Sequence, residues 1–305
     1  MILQITSRVP GRDAAHALLN IAVMNKLLTL TLSLPLLACV VGSGTDTADN
    51  TGPAGPGGSG SGGGGGGGVD NAEHITGATM WTGTMNITKE TVIDPGVTVT
   101  IAAGTIVKFA PSTSIDVKGT VNVLGTKASP VQLAPSVAGG HHYGFSVSTG
   151  GELTMTYGIQ TGGGISVNGG KITVTDTRMS QAEGDFLVVS SGKVNVSYSA
   201  IGLEPGAGID TTHCDMHFGG SGTTISVTHS NISTSSYGLM LYGGNNVDLT
   251  SNNWFNNPIQ IDTSAGVSGN ISGGWFDKGA PTAGAGAMLV HDTLAPARLT
   301  DAGPR

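Results

Sequence analysis

The sequence predicts an all-β fold, a parallel β-helix solenoid of roughly eight rungs across residues 70–278. Three observations predict it. A short unit recurs, made of two apolar residues in alternation, a glycine-rich corner and two more apolar residues in alternation. The copies follow one another at a nearly constant spacing. Past residue 70, Val, Ile and Thr are plentiful and helix formers are scarce, which is the composition of strands.

The unit is plainest at Ile115-Asp116-Val117-Lys118-Gly119-Thr120-Val121-Asn122-Val123. It returns as Phe145-Ser146-Val147 ahead of Gly150-Gly151-Glu152-Leu153-Thr154-Met155, and again as Ile165-Ser166-Val167-Asn168-Gly169-Gly170-Lys171-Ile172-Thr173-Val174. Further copies fall at 188–196, 216–227 and 239–249. The first apolar residue after each corner gives the markers Val99, Val121, Leu153, Ile172, Val194, Ile225 and Val247. Their steps are about 22, 32, 19, 22, 31 and 22 residues, and a period near 22 is a solenoid signature. Alternation turns one face of each strand inward. A single rung cannot bury that face, whereas rungs stacked about 4.8 Å apart can.

The end rungs need caps, because their backbone edges are open. Residues 75–89, with Trp81 and Met85, are the candidate N-terminal cap. Trp254, Phe255, Trp275 and Phe276 cluster near the other end, and residues 279–305 form a C-terminal cap or tail. Capping is the first reading of these aromatics and glycan stacking the second. Asn231 and Asn253 each lie six residues after a marker, with Ser230 and Asn252 one position earlier. Asparagines at equivalent corners predict a hydrogen-bonded ladder between neighbouring rungs.

The N-terminal third reads differently. Residues 1–23 show no pattern and look like an upstream start, with Met24 as the true initiator. Residues 24–38 combine a lysine, an apolar run and a small-residue end, which fits a signal peptide and is too short to span a bilayer. Leu36-Leu37-Ala38-Cys39 resembles the bacterial lipobox. That resemblance implies cleavage before Cys39, lipidation of its thiol and membrane attachment through the acyl chains. Val40 follows the cysteine where an Asp would resemble an inner-membrane retention signal. Outer-membrane attachment, on the cell surface or facing the periplasm, is therefore expected in a Gram-negative cell. An ordinary secretory signal with a chance cysteine is the alternative. Residues 39–69, rich in Gly, Ser and Pro, form a linker with nothing to build a core.

The run from Thr91 through Pro95-Gly96-Val97 to Gly104-Thr105-Ile106-Val107-Lys108-Phe109 resembles the opening rungs of bacterial right-handed parallel β-helix surface proteins. So does Gly119-Thr120-Val121-Asn122-Val123-Leu124-Gly125-Thr126 followed by Ser129-Pro130-Val131-Gln132-Leu133. The likeness is to the pectate-lyase-like superfamily, and it covers about 200 residues. It implies the right hand of the helix. For function it implies a range, since such folds include lyases, hydrolases, adhesins and inert members.

Candidate chemistry concentrates at His213-Cys214-Asp215-Met216-His217-Phe218. Strict alternation puts Cys214, Met216 and Phe218 inside, and His213, Asp215 and His217 outside. Those three are the catalytic candidates, with a hydrophilic outer face as the plainer reading. Residues i and i+4 on a strand lie about 13 Å apart, too far to share one metal ion unless the strand bends. No metal or other cofactor is expected, and calcium only if the chain is a lyase. Cys214 reads as a buried free thiol.

Two long steps mark insertions near 134–142 and 202–212. Loops on one side of a solenoid can wall a groove. His141, His142, Glu204 and Asp210 are the candidate carbohydrate-binding residues. The resemblance itself counts against catalysis: polygalacturonases carry an Asp-Asp pair and a Gly-His-Gly that this chain lacks, and pectate lyases carry a catalytic Arg beside a calcium site, whereas this rung region holds only Arg178, two residues after Asp176. Asp176, Asp185 and Asp215 are what remains for carboxylate chemistry. The net charge of −7 argues against a nucleic-acid partner. The expected function is a non-enzymatic structural or adhesive surface module that binds polysaccharide. The alternative is a polysaccharide lyase or hydrolase with its groove near His141, His213, Asp215 and His217, and a passive surface spacer with no ligand is the third reading.

Overall fold

Glycine corners and alternating apolar residues give three strands per turn, stacked into three columns of parallel pairs. The computed structural model describes residues 71–203, 210–220, 222–243 and 246–305. Cys39 and its linker, and Glu204, lie outside these residues. The described residues contain strands and turns but no helix.

The first turn consists of Glu73–Ile75, Thr79–Trp81 and Thr84–Ile87. Each of these strands pairs in parallel with its counterpart in the next turn, Thr91–Ile93, Thr98–Ala102 and Ile106–Phe109. The third column alone holds nine strands, ending at Trp275–Phe276. The solenoid thus has about nine turns rather than eight. The extra one is the segment read as an N-terminal cap, which is itself a complete turn with Trp81 buried.

The sequence markers form one stacked row. Val99 pairs with Val121, Val121 with Leu153, Leu153 with Ile172, Ile172 with Val194 and Val194 with Ile225. All six are buried. Full burial of such a side chain contributes about 1.5–3 kcal/mol, and each marker obtains it only from the turns above and below. Two strands, Ile165–Thr175 and Leu187–Ser197, run through the corner between the first and second columns without a break. Left-handed glycines make this possible: Gly169 in the first, with φ at 87° and Thr149 Oγ1 2.2 Å from where a Cβ would sit, and Gly192 in the second, with φ at 110°.

The polar ladder is present and longer than the sequence suggested. Asn253 Nδ2 donates to Asn231 Oδ1 at 2.9 Å. One residue earlier, backbone N–H groups donate to side chains of the next turn: Gly158 to Thr177, Thr177 to Ser199, Ser199 to Ser230 and Ser230 to Asn252. The residue before each rung of this ladder turns left-handed, at Tyr157, Asp176, Tyr198, His229 and Ser251. The inward polar side chains satisfy amides that the tight corner would leave buried and unpaired.

The C-terminal aromatics are structural. Trp254 stacks on Phe276 inside the last turns, and Arg298 lies 4.1 Å from the ring centroid of Phe255. The strand Met288–Val290 pairs with Ser268–Asn270. The chain then runs back across earlier turns. Leu299 N–H and C=O bond to Asn253, and Gly303 N–H donates to His229 C=O. Arg305 reaches Asp176.

Candidate functional site

Each third-column strand hands the chain to the first column through a connection, and both insertions sit in such connections. One follows Val131–Pro135 and the other follows Ala200–Ile201. They meet at a groove of about 360 Å³. Its lining includes Pro135, Gly140, His141, Thr161, Gln181 and Asp210.

Gln181 holds the two insertions together. It is left-handed, with φ at 62°, in the position that Gly162 takes one turn earlier. Its carbonyl accepts from His141 Nδ1 at 3.1 Å. Its N–H donates to both carboxylate oxygens of Asp210 at 2.9 Å. Burial raises the pKa of Asp210, and the Gln181 amide partly offsets this. The groove therefore offers an imidazole, a carboxylate, an amide side chain, a hydroxyl and glycine backbone, all suited to a hydroxylated ligand.

His142 belongs to the support of this wall rather than to its surface. It is 4% exposed, and its ring lies parallel to Phe109 with centroids 4.2 Å apart. Its Nε2 donates to Thr161 C=O at 3.0 Å. Burial lowers its pKa against the opposing pull of the Thr161 carbonyl, and the neighbouring His141 lowers it further.

The strand Thr211–Phe218 departs from strict alternation. Met216 and Phe218 face the core, as expected. Asp215 does not project outward beside the histidines: it is fully buried, and Ser235 Oγ donates to its Oδ1 at 2.5 Å. The cause is the corner. Met216 stacks on Leu187, and Phe186 N–H donates to Asp215 C=O. Phe186 and Leu187 are both buried, so two consecutive residues point inward at this corner in each turn. A register irregularity lies just before it, between Thr211 and Cys214. Such bulges re-aim side chains. Here Cys214, which is buried, and His217, three apart, both reach the carboxylate of Asp185. Burial pushes the Asp215 carboxyl well above the usual carboxylate range, and the Asp210 and Asp185 charges add to this against the Ser235 bond.

Asp185 is the hub that these side chains share. Its Oδ1 accepts from Cys214 N at 3.3 Å and from Cys214 Sγ at 2.9 Å, and it contacts His213 Nδ1. Its Oδ2 lies 3.4 Å from His217 Nδ1. Burial opposes ionisation of Asp185, yet the bonds from His217, Cys214 and His213 outweigh it and hold the carboxyl below its ordinary value. The ligand atoms of Asp185, Cys214 and His217 lie within 4.8 Å of one another. Tyr242 packs edge-on against His217, with centroids 5.4 Å apart. Segments 181–185 and 210–214 are thus joined twice, through Gln181 to Asp210 at the groove and through Asp185 to His213 and Cys214 at the corner.

Of the sequence candidates, His141 and Asp210 come together across Gln181, and His213 and His217 across Asp185. Asp215 and His142 turn inward. Gln181 carried no chemical signal in the sequence. Aligning 185–189 with 214–218 by their apolar residues would have set Asp185 beside Cys214. Asp176 pairs with Arg305 rather than with Arg178, because its left-handed backbone turns it out of the strand.

Comparison with protein families, curated proteins and solved structures returns no match for this chain.

Proposed function

We propose that this chain is a lipid-anchored surface protein whose solenoid binds polysaccharide without cleaving it. The anchor is Cys39, acylated after removal of the signal peptide, and the linker holds the folded unit away from the outer membrane. Support for the anchor is the Leu36-Leu37-Ala38-Cys39 lipobox resemblance. The helix is a member of the pectate-lyase-like class in this reading, which rests on the opening rungs from Thr91 to Leu133.

One observation carries the binding site. His141 and Asp210, from two separate insertions, both bond to the backbone of Gln181 at the edge of one groove. Two loops that grow independently have no packing need to share an anchor. Their meeting leaves polar side chains and bare glycine backbone around a space large enough for a sugar ring or two. The catalytic alternative loses Asp215, which is buried away from His213 and His217, and its carboxylate becomes Asp185, which contacts both histidines.

The full chain, tested against acidic and neutral polysaccharides with and without calcium, separates the readings. Retention without new reducing ends, lost in Asp210→Ala and His141→Ala, is the expected result. New reducing ends abolished by His213→Ala would establish the enzyme instead.

A further inference from the structure

We propose that Asp185, Cys214 and His217 form a mononuclear zinc site, with His213 orienting Asp185 from outside the ligand shell. The proposal is independent of polysaccharide binding.

The donor set is the first argument. A thiolate, an imidazole and a carboxylate together suit zinc, a borderline-soft ion, and do not suit calcium or magnesium, which take oxygen ligands. Geometry is the second. Bonds of about 2.0–2.3 Å to a tetrahedral zinc place neighbouring ligand atoms roughly 3.3–3.6 Å apart. His217 Nδ1 lies 3.4 Å from Asp185 Oδ2, and the ligand atoms of Asp185, Cys214 and His217 all lie within 4.8 Å of one another. The shorter 2.9 Å contact between Cys214 Sγ and Asp185 is an S–H hydrogen bond. On binding, that S–H proton leaves to solvent, sulfur takes the metal and the contact widens. Three protein ligands leave a fourth position open.

The fold supplies the third argument. The inward pair Asp215-Met216 is what brings Cys214 and His217 together, and parallel stacking brings Asp185 beside them from the preceding turn. Asp185 and His217 side chains are 10% and 14% exposed, and Cys214 is buried. Cys214 and His217 thus sit on one strand, and Asp185 is held by the connection just before the strand Leu187–Ser197. A cysteine–histidine nucleophile fits the same atoms poorly. In a proton relay the two imidazole nitrogens face the thiol and the carboxylate separately. Here His213 Nδ1 alone meets both Cys214 Sγ and Asp185 Oδ1. An adjacent carboxylate also disfavours a free thiolate, which a cation would stabilise.

The experiment uses the full chain carrying Cys39→Ser, so that Cys214 is the sole thiol. Cobalt is titrated in and then displaced with zinc. One cobalt per chain is expected, with a thiolate-to-cobalt charge-transfer band and the intense visible bands of tetrahedral cobalt. Cys214→Ser removes the charge-transfer band. His213→Ala weakens zinc by about 10- to 100-fold while keeping that band, as loss of an outer-shell partner does. His217→Ala and Asp185→Asn weaken it further. X-ray absorption of the zinc-loaded chain needs no ligand variant, and one sulfur at about 2.3 Å is expected. No metal uptake at micromolar cobalt, a charge-transfer band that survives Cys214→Ser, or a zinc shell without sulfur would each overturn the site.

Discussion

Arg305 closes a bidentate pair on Asp176. Nε donates to Oδ1 at 2.9 Å, Nη2 donates to Oδ2 at 2.8 Å, and the backbone N–H adds a bond to Oδ1 at 3.0 Å. The guanidinium also lies 3.8 Å from the ring centroid of Tyr198. Residues 299–305 are thereby pinned across turns distant in sequence, from Asn253 back to Asp176.

This pinning predicts a pH dependence. Burial opposes ionisation of Asp176, but the Arg305 bonds prevail and lower its folded pKa. A lowered folded pKa contributes stability that is complete above the unfolded value of about 3.9 and is lost as pH falls through the folded value. The wild-type chain should therefore denature later than Asp176→Asn at neutral pH, with the gap closing in acid. Urea midpoints across pH check this. A gap that persists in acid would assign the stability to something other than the ion pair.

Asp215 predicts the opposite sign. Its folded pKa is raised, chiefly by burial. The unfolded carboxyl ionises above about 3.9 while the folded one keeps its proton, so this group destabilises the fold as pH rises toward the folded value. Asp215→Asn removes the ionisation and retains a group able to bond to Ser235. Its urea midpoint should exceed that of wild type at neutral pH and match it only below the unfolded value of about 3.9. Lower stability at both would show that the carboxylate is ionised and needed.

Asn252 is the most heavily used rung of the polar ladder. Its Oδ1 accepts from Ser230 N–H, and its Nδ2 donates to Val227 and Leu249 carbonyls at 2.6 and 2.9 Å. Asn252→Ala leaves all three buried backbone groups without this partner. A loss of about 3 kcal/mol is expected from denaturant unfolding.

Gly163 and His142 form a close contact that cannot absorb a methyl group. A Cβ on Gly163 would come within 2.3 Å of the His142 ring, which is held against Phe109. Gly163→Ala should cost about 1–3 kcal/mol, read as a lowered urea midpoint. An unchanged midpoint would mean that the ring moves freely.

Much of this was legible in the sequence because solenoid packing is local and periodic. The markers from Val99 to Ile225 are register partners, since apolar spacing alone decides which residues stack. Asn231 and Asn253 were readable for the same reason. The convergence of the insertions on one groove followed from their positions relative to the rungs. The burial of Cys214 was legible, but the inward turn of Asp215 was not. A period of two has no provision for the corner where Phe186-Leu187 and Asp215-Met216 face inward in succession. Arg305 was hidden for a different reason: its contact with Asp176 depends on a tail with no apolar period, running against the order of the turns.

The groove is tested most directly by backbone hydrogen exchange of the full chain, with and without the polysaccharide it retains best. Slowed exchange at Gly140, Gly162, Gln181 and Asp210 is the predicted result, because ligand seated there covers the segments that line the groove. Protection confined to another face of the solenoid, or no protection with any polysaccharide, would contradict binding between the two insertions.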